Sequence, residues 1–303
     1  MSVTITSTYA GQFAGKYIAA SLLAAKTIDD GAITVLPNIK YKAAMKVGAF
    51  SNLIKNASCD FDTTTSSLAL TEKVLTPKEL QVNIDICKKD LHSDWEAAQM
   101  GFSAFDELPP LFSDFVISRV AAEVASATES NIWSGADTDG NFEGFKAKLA
   151  ADATVVDVTA TDITSANVVA QIGAVVDAIP AGVYGAEDLY IYCAQNVFKA
   201  YVRALGGFAA TNSGVDAKSH TFYSGGALSF DGVKLYPTSG MGANEMVAAR
   251  SSNLFFGTGL LSDYNEVKVI DLADIDGSQN VRVVMRYTAG TQIGVGADCV
   301  LYT

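Results

Sequence analysis

Acid–base or nucleophilic chemistry near neutral pH leans on histidine, and the chain has two, His92 and His220. Neither lies in a nucleophile elbow or an H-E-x-x-H helix. His92-Ser93-Asp94 sets three triad residue types in a row, but a triad assembles across a fold rather than along consecutive positions. The run therefore reads as a polar strand-to-helix corner. No G-x-x-x-x-G-K-[ST] loop, and no G-x-G-x-x-G after a strand, offers a phosphate cradle. Asp137-Thr138-Asp139-Gly140-Asn141-Phe142-Glu143 opens like a calcium loop, yet its glycine comes too early and the distant bidentate glutamate is missing. A solvated turn is expected there, and Asp271, Asp274 and Asp276 read as a hairpin turn. Trp95 and Trp133 are expected to pack the core. Cys59, Cys87, Cys193 and Cys299 contain no C-x-x-C pair, which argues against a metal site or a disulfide framework. The last three lie in apolar, strand-like runs and read as buried reduced thiols. The chain is expected to be no enzyme and to need no cofactor.

The composition narrows the class further. The 303 residues are 49% apolar and 18% charged, with mean hydropathy +0.22, which excludes a disordered chain. No run of 18 uncharged apolar residues marks a membrane helix, so no membrane partner is expected. The opening MSVTITSTYAGQFAGKYIAA lacks the basic start and apolar block of a signal peptide, and a cytoplasmic product retaining Met1 is expected. The net charge of -12 and pI near 4.5 argue against direct binding to nucleic-acid phosphate. That charge is split: residues 1–89 carry 10 Lys+Arg against 7 Asp+Glu, and residues 90–303 carry 11 against 26. Ordinary solvated faces would explain this, as would one subunit's basic arm lying on the acidic body of the next.

Periodicity supplies the elements. Residues 33–89 read as a long β-hairpin arm feeding a strand of the body. In ELQVNIDICKKD, Leu80, Val82, Ile84 and Ile86 alternate with polar neighbours, the period of a half-buried strand. A long helix follows over about 109–134, opened by Pro109-Pro110 and striped by Phe112, Val116, Val120 and Val124, with Gly135 as the stop. Asp162–Ile179 and AQNVFKAYVRALGG are helical, with the strand LYIYCA between them. A Gly/Ser/Asn-rich loop covers about 208–227, and the remainder is strands with Asp-Gly turns.

This order of elements resembles the tailed-bacteriophage major capsid proteins, the HK-ninety-seven-type fold shared with encapsulin shells. The resemblance rests on the helix ending ATESNIWSG, with acidic Glu129 and closing Gly135. It also rests on FDGVKLYPTSGMGANEMVAARSSNLFFGTG, similar to the family's G-x-x-x-x-x-S and strand, and on QNVRVVMRYTAGTQIGV. It implies an α+β fold with an N-terminal arm at 1–32 and an extended loop at 33–79. A peripheral lobe with the spine helix would take 80–158 and 250–303, and an axial lobe 159–249. The implied function is self-assembly into pentamers and hexamers of an icosahedral shell enclosing phage double-stranded DNA without specific binding. Portal and separate scaffolding or decoration proteins would be partners, with assembly in the host cytoplasm and residence in the virion. Because the arm starts at Met1, no cleaved scaffolding segment is expected. Lys40, Lys42, Lys46, Lys55 and Lys73 would make inter-subunit contacts, and Gly206, Gly207, Gly214, Gly225 and Gly226 would line a capsomer-axis loop. Two alternatives stay open: an encapsulin-like compartment shell and a secreted surface-layer or adhesin protein.

Overall fold

The computed structural model describes residues 26–39, 41–51, 54–57, 59, 67–87, 110–205, 228–259 and 268–303. His92, Ser93, Asp94, Trp95, His220, Lys40 and the five loop glycines at 206, 207, 214, 225 and 226 lie outside them.

The alternating run forms β4 (Lys78–Cys87), antiparallel to β12 (Asn280–Ile293). Register sets Leu80 against Tyr287, Val82 against Met285, Ile84 against Val283 and Ile86 against Val281. Those pairs share one face and join the core, while Glu79, Gln81, Asn83, Asp85, Arg282 and Arg286 fall on the other face and are exposed. β12 is long enough to hold β4 on one side, and on the other β11 (Lys268–Asp271) and then β10 (Leu254–Thr258). A short helix, α1 (Lys26–Asp29), precedes β1 (Thr34–Leu36), which adds to β10 in parallel. The helix α2 runs Pro110–Ser134 and contributes Val120, Val124, Ile132 and Trp133 to the same core, which α3 (Phe145–Ala151) completes.

The second sheet has the order β5–β13–β9–β6–β8–β7. Its central strands, β6 (Leu189–Ala194), β9 (Met246–Arg250) and β13 (Val300–Tyr302), are buried on both faces. Ile191, Cys193, Ala248 and Tyr302 face a core under α4 (Val168–Asp177) and α5 (Gln195–Ala204), whereas Tyr192, Val247, Ala249 and Leu301 face the core of α2. One sheet thus welds two cores. β5 (Val156–Val158) and β13 lie outside the expected axial segment 159–249, yet both pair into this sheet. Strands of three residues are too short to show a period. β7 (Ser229–Phe230) and β8 (Val233–Thr238) join through Asp231-Gly232, both at positive φ, the primed turn that matches strand twist. The connection from β11 to β12 contains one helical turn, α6 (Ala273–Asp276), ended by Gly277 at φ 71.

β2 (Ala43–Ser51) and β3 (Ser67–Leu75) form a two-stranded antiparallel ribbon that belongs to neither sheet.

Candidate functional site

The base of the ribbon is fixed by four devices. The chain leaves β1 through Asn38, in the left-handed region at φ 63, and Ile39 N–H donates to the Thr258 carbonyl at 3.1 Å. Gly257 and Gly290 are direct partners across β10 and β12. A Cβ on Gly257 would stand 2.3 Å from Leu75 Cδ2 and 2.7 Å from Ile39 Cδ1, and one on Gly290 3.0 Å from Pro77 Cα. The paired glycines therefore form a notch that seats both legs of the ribbon. The Gln292 amide donates to the Val74 carbonyl at 2.8 Å. Lys73 donates to Asp152, and this bond, with that from Thr154, holds the Asp152 carboxyl down at about 2.

Beyond the base, the ribbon's two faces differ. Ala43, Met45 and Val47 are half-buried, whereas Lys42, Ala44, Lys46 and Gly48 are exposed, as are Leu70, Glu72 and Val74 opposite them. Leu70 is 67% exposed, Tyr41 75% and Ile54 96%, so apolar side chains stand in solvent. Of the lysines expected at contacts, Lys42, Lys46 and Lys55 are on the exposed arm, and Lys73 is turned onto its own body.

A second fixture joins the segment 26–36 to both cores. Glu129, 1% exposed on α2, accepts from Thr27 N–H at 3.1 Å and from the Thr27 hydroxyl. Trp133 Nε1 donates to Thr27 Oγ1 at 3.0 Å, so the hydroxyl proton is committed to the carboxylate. Burial pushes the Glu129 carboxyl above its ordinary range, against the pull of the Thr27 donors. From the other sheet, Tyr192 Oη donates to the Ala32 carbonyl at 2.5 Å and Tyr236 Oη to Asp30 at 2.7 Å. The Trp133 and Tyr192 rings meet at 4.9 Å. Gly135, Gly144 and Gly240 make this junction possible: a Cβ on each would fall within 2.5 Å of a backbone oxygen. Gly135 is thus required for close approach rather than as a left-handed stop. Residue types alone do not reveal Thr27, Tyr192 and Tyr236 as partners of the helix. A lone carboxylate within an apolar helical stripe was the one available signal.

The aspartate turn that opens like a calcium loop already has a cation. Lys78 Nζ donates to Asp137 at 2.9 Å and to the Thr138 carbonyl at 2.7 Å. Among the described residues no group of His, Cys, Asp and Glu could hold a metal ion, and no helix is long and apolar enough to cross a membrane. Cys193 and Cys299 are buried, with burial pushing each thiol up to about 12; Cys87 is half-buried and Cys59 exposed. Thiols held protonated in a core are inert.

No family model and no curated protein matches the chain. Solved structures do. The capsid of a native GTA particle, described with C5 symmetry, is similar at a TM-score of 0.64 and 16% identity, over 95% of this chain and 93% of that one. The capsid asymmetric unit of cyanophage A-1(L) gives 0.61 and 12%, over 94% of each chain. The capsid of Myoviridae phage XM1 gives 0.58 and 14%, over 99% and 94%. The chain has the α+β fold of these capsid proteins along nearly its whole length.

Proposed function

We propose that this chain is the major capsid subunit of a tailed-phage-type shell, forming pentamers and hexamers that close around double-stranded DNA. The observation that carries the reading is the ribbon. A two-stranded hairpin is marginal in water without a third layer, yet β2 and β3 pair over nine positions with Leu70 and Tyr41 in solvent. Such an arm is completed by a neighbour. The nearly end-to-end likeness to capsid proteins supports another copy as that neighbour. Identical arms on identical bodies make heterologous contacts, which close into rings when the rotation returns on itself. Each contact is weak, and several per subunit hold through multivalency.

The charge of -12 suits a wall that encloses DNA without gripping it. A portal, and separate scaffolding or decoration proteins, would complete the particle, with assembly in the bacterial cytoplasm. Gly206, Gly207, Gly214, Gly225 and Gly226 would line the capsomer axis, where one chain must fit two symmetries. Negative-stain microscopy and sedimentation of the purified chain test the reading: closed shells or capsomers are expected, and a monomer persisting across salt, pH and concentration overturns it.

A further inference from the structure

The arm leaves the body as a lever. β2 and β3 pair over nine positions, so at roughly 3.3 Å per residue the ribbon reaches about 30 Å. A turn of about 5° at its base displaces the far end by about 2.6 Å, nearly one residue's rise. The attachments at that base are of two kinds and run to two different sheets. The Gly257–Gly290 notch, in which Leu75 is fully buried, and the Gln292 amide on the Val74 carbonyl hold the ribbon to β10 and β12 of the first sheet. Lys73, two residues farther out on the same face of β3 as Leu75, goes elsewhere. Its ammonium donates to Asp152, the outermost hydrogen bond from the β2–β3 ribbon to the body among the described residues.

Asp152 belongs to the second sheet. It directly follows α3, and Thr154 and Val155 carry the chain from it into β5, which pairs with β13. Its carboxylate is fixed before Lys73 reaches it. Oδ1 accepts from the Thr154 N–H at 3.0 Å and from the Thr154 hydroxyl at 2.7 Å. Gly296, in the turn that leads into β13, lies against the other oxygen: a Cβ there would stand 2.5 Å from Oδ2 and 2.5 Å from Thr154 Oγ1. The glycine leaves Oδ2 open to the lysine.

A partly exposed ion pair adds little to stability, but this one has the right placement for direction. A notch on one sheet fixes where the ribbon sits and leaves it free to roll about the strand axis. A second point farther out, on a preset carboxylate of another sheet, removes that freedom. We infer that Lys73–Asp152 is the positioning contact that aims the arm, and that Asp152 thereby selects the diameter of the closed shell. The inference rests on the shell reading and deepens it by naming what sets the curvature. Heterologous contacts close only when the rotation from one copy to the next returns on itself, so a small error in each arm changes how many copies close or leaves the surface open.

Electron microscopy of particles formed by the full chain, beside melts of the unassembled chain, tests it. Lys73→Met keeps the stem and removes the charge. Asp152→Asn keeps an acceptor for Thr154 and removes the one for Lys73. Each is expected to leave the assembled mass within about 2-fold of the parent and to cut the share of particles at the parent's modal diameter by about 3-fold or more. The remainder should be other sizes and open sheets, while the melting temperature stays within about 2 °C of the parent. The double variant Lys73→Met/Asp152→Asn should be no worse than either single one, because both remove the same contact. Lys73→Arg, which keeps the cation, should restore most of the parent's size distribution. Reading diameter rather than yield separates aim from stability. Parent-sized shells from both single variants, a loss of yield without new diameters, or an arginine variant as heterogeneous as the methionine one would each overturn the inference and leave the shell reading standing. A parent that forms no particle overturns both.

Discussion

Two antiparallel pairs in this molecule start from the same local pattern and end differently. β4–β12 matches ten positions and β2–β3 nine, each with apolar residues recurring at alternate places. In β4–β12 the apolar face meets α2, and Val281, Val283 and Met285 are at most 1% exposed. In β2–β3 no third strand pairs with the ribbon among the described residues, and Leu70 and Val74 on its open face are 67% and 40% exposed. A strand pair is therefore stable within the subunit only when a further layer takes its apolar face. One pair builds the body; the other, on the proposed function, is left for an assembly partner.

The largest effect comes from placing the same charge in both pairs. Val283→Asp buries a carboxylate with no partner and is expected to cost 3–5 kcal/mol or more, enough to unfold most of a marginally stable domain. Leu70→Asp, on the exposed ribbon, should leave the melting temperature within about 2 °C of the parent while shell formation fails. Circular-dichroism melts beside particle counts read both. A ribbon variant that melts like the core variant would erase the contrast.

Next is the junction that joins both cores. Glu129→Gln keeps one acceptor for Thr27 but turns an amide N–H₂ toward the other Thr27 donor, at an expected cost of about 1–3 kcal/mol. The pH sign follows from the raised carboxyl. A folded-state value above the unfolded one contributes stability that is full below the ordinary value near 4.5 and is lost as pH rises through the folded value. The parent's melting temperature should therefore fall across that interval for this group, and the decline should be absent from the glutamine variant. An identical pH profile in both chains would remove Glu129 from the account.

Gly290→Ala sharpens the comparison at the ribbon's base. Its Cβ would press on Pro77 Cα at 3.0 Å, against backbone that cannot rotate away, so the ribbon should lift from its seat at about 1–3 kcal/mol. Limited proteolysis within 43–75 should speed up while the body stays protected. Unchanged cleavage would show that the notch does not hold the arm.

The contrast also explains what the residues revealed on their own. α2 was legible because Pro110 and the Val120, Val124 stripe mark a helix start and a buried face, and β4 because ten residues show four clean alternations. The arm's lysines were legible as exposed charge, and Lys42 and Lys46 are exposed. That Lys73 belongs to Asp152, 79 positions away, depends on a fold that brings α3 beside β3. The Thr27–Glu129 bond spans 102 positions, and the Gly257–Gly290 notch depends on a strand register. Period and punctuation are local. The joints that aim the arm come from chain segments that meet only once the two sheets have formed.

Lys73–Asp152 carries the smallest effect and the sharpest pH signature. Its partners are 26% and 18% exposed, so the pair is only partly shielded and is worth at most about 1 kcal/mol. Asp152 titrates at about 2 in the folded chain, below its ordinary 3.8. A depressed acid contributes stability that is present above the unfolded value and lost as pH falls through the folded one. The ribbon's tether should therefore weaken between pH 4 and 2, while the Gly257–Gly290 seat, which has no charge, persists. Amide exchange in β3, compared between the parent and Asp152→Asn at each pH, isolates the pair. The parent should exchange more slowly than the variant at pH 4, by about 5-fold or less, and the two should converge at pH 2. A difference that survives at pH 2 would mean the ion pair is not what Asp152 contributes, and no difference at pH 4 would mean that the ribbon owes its position to the seat alone.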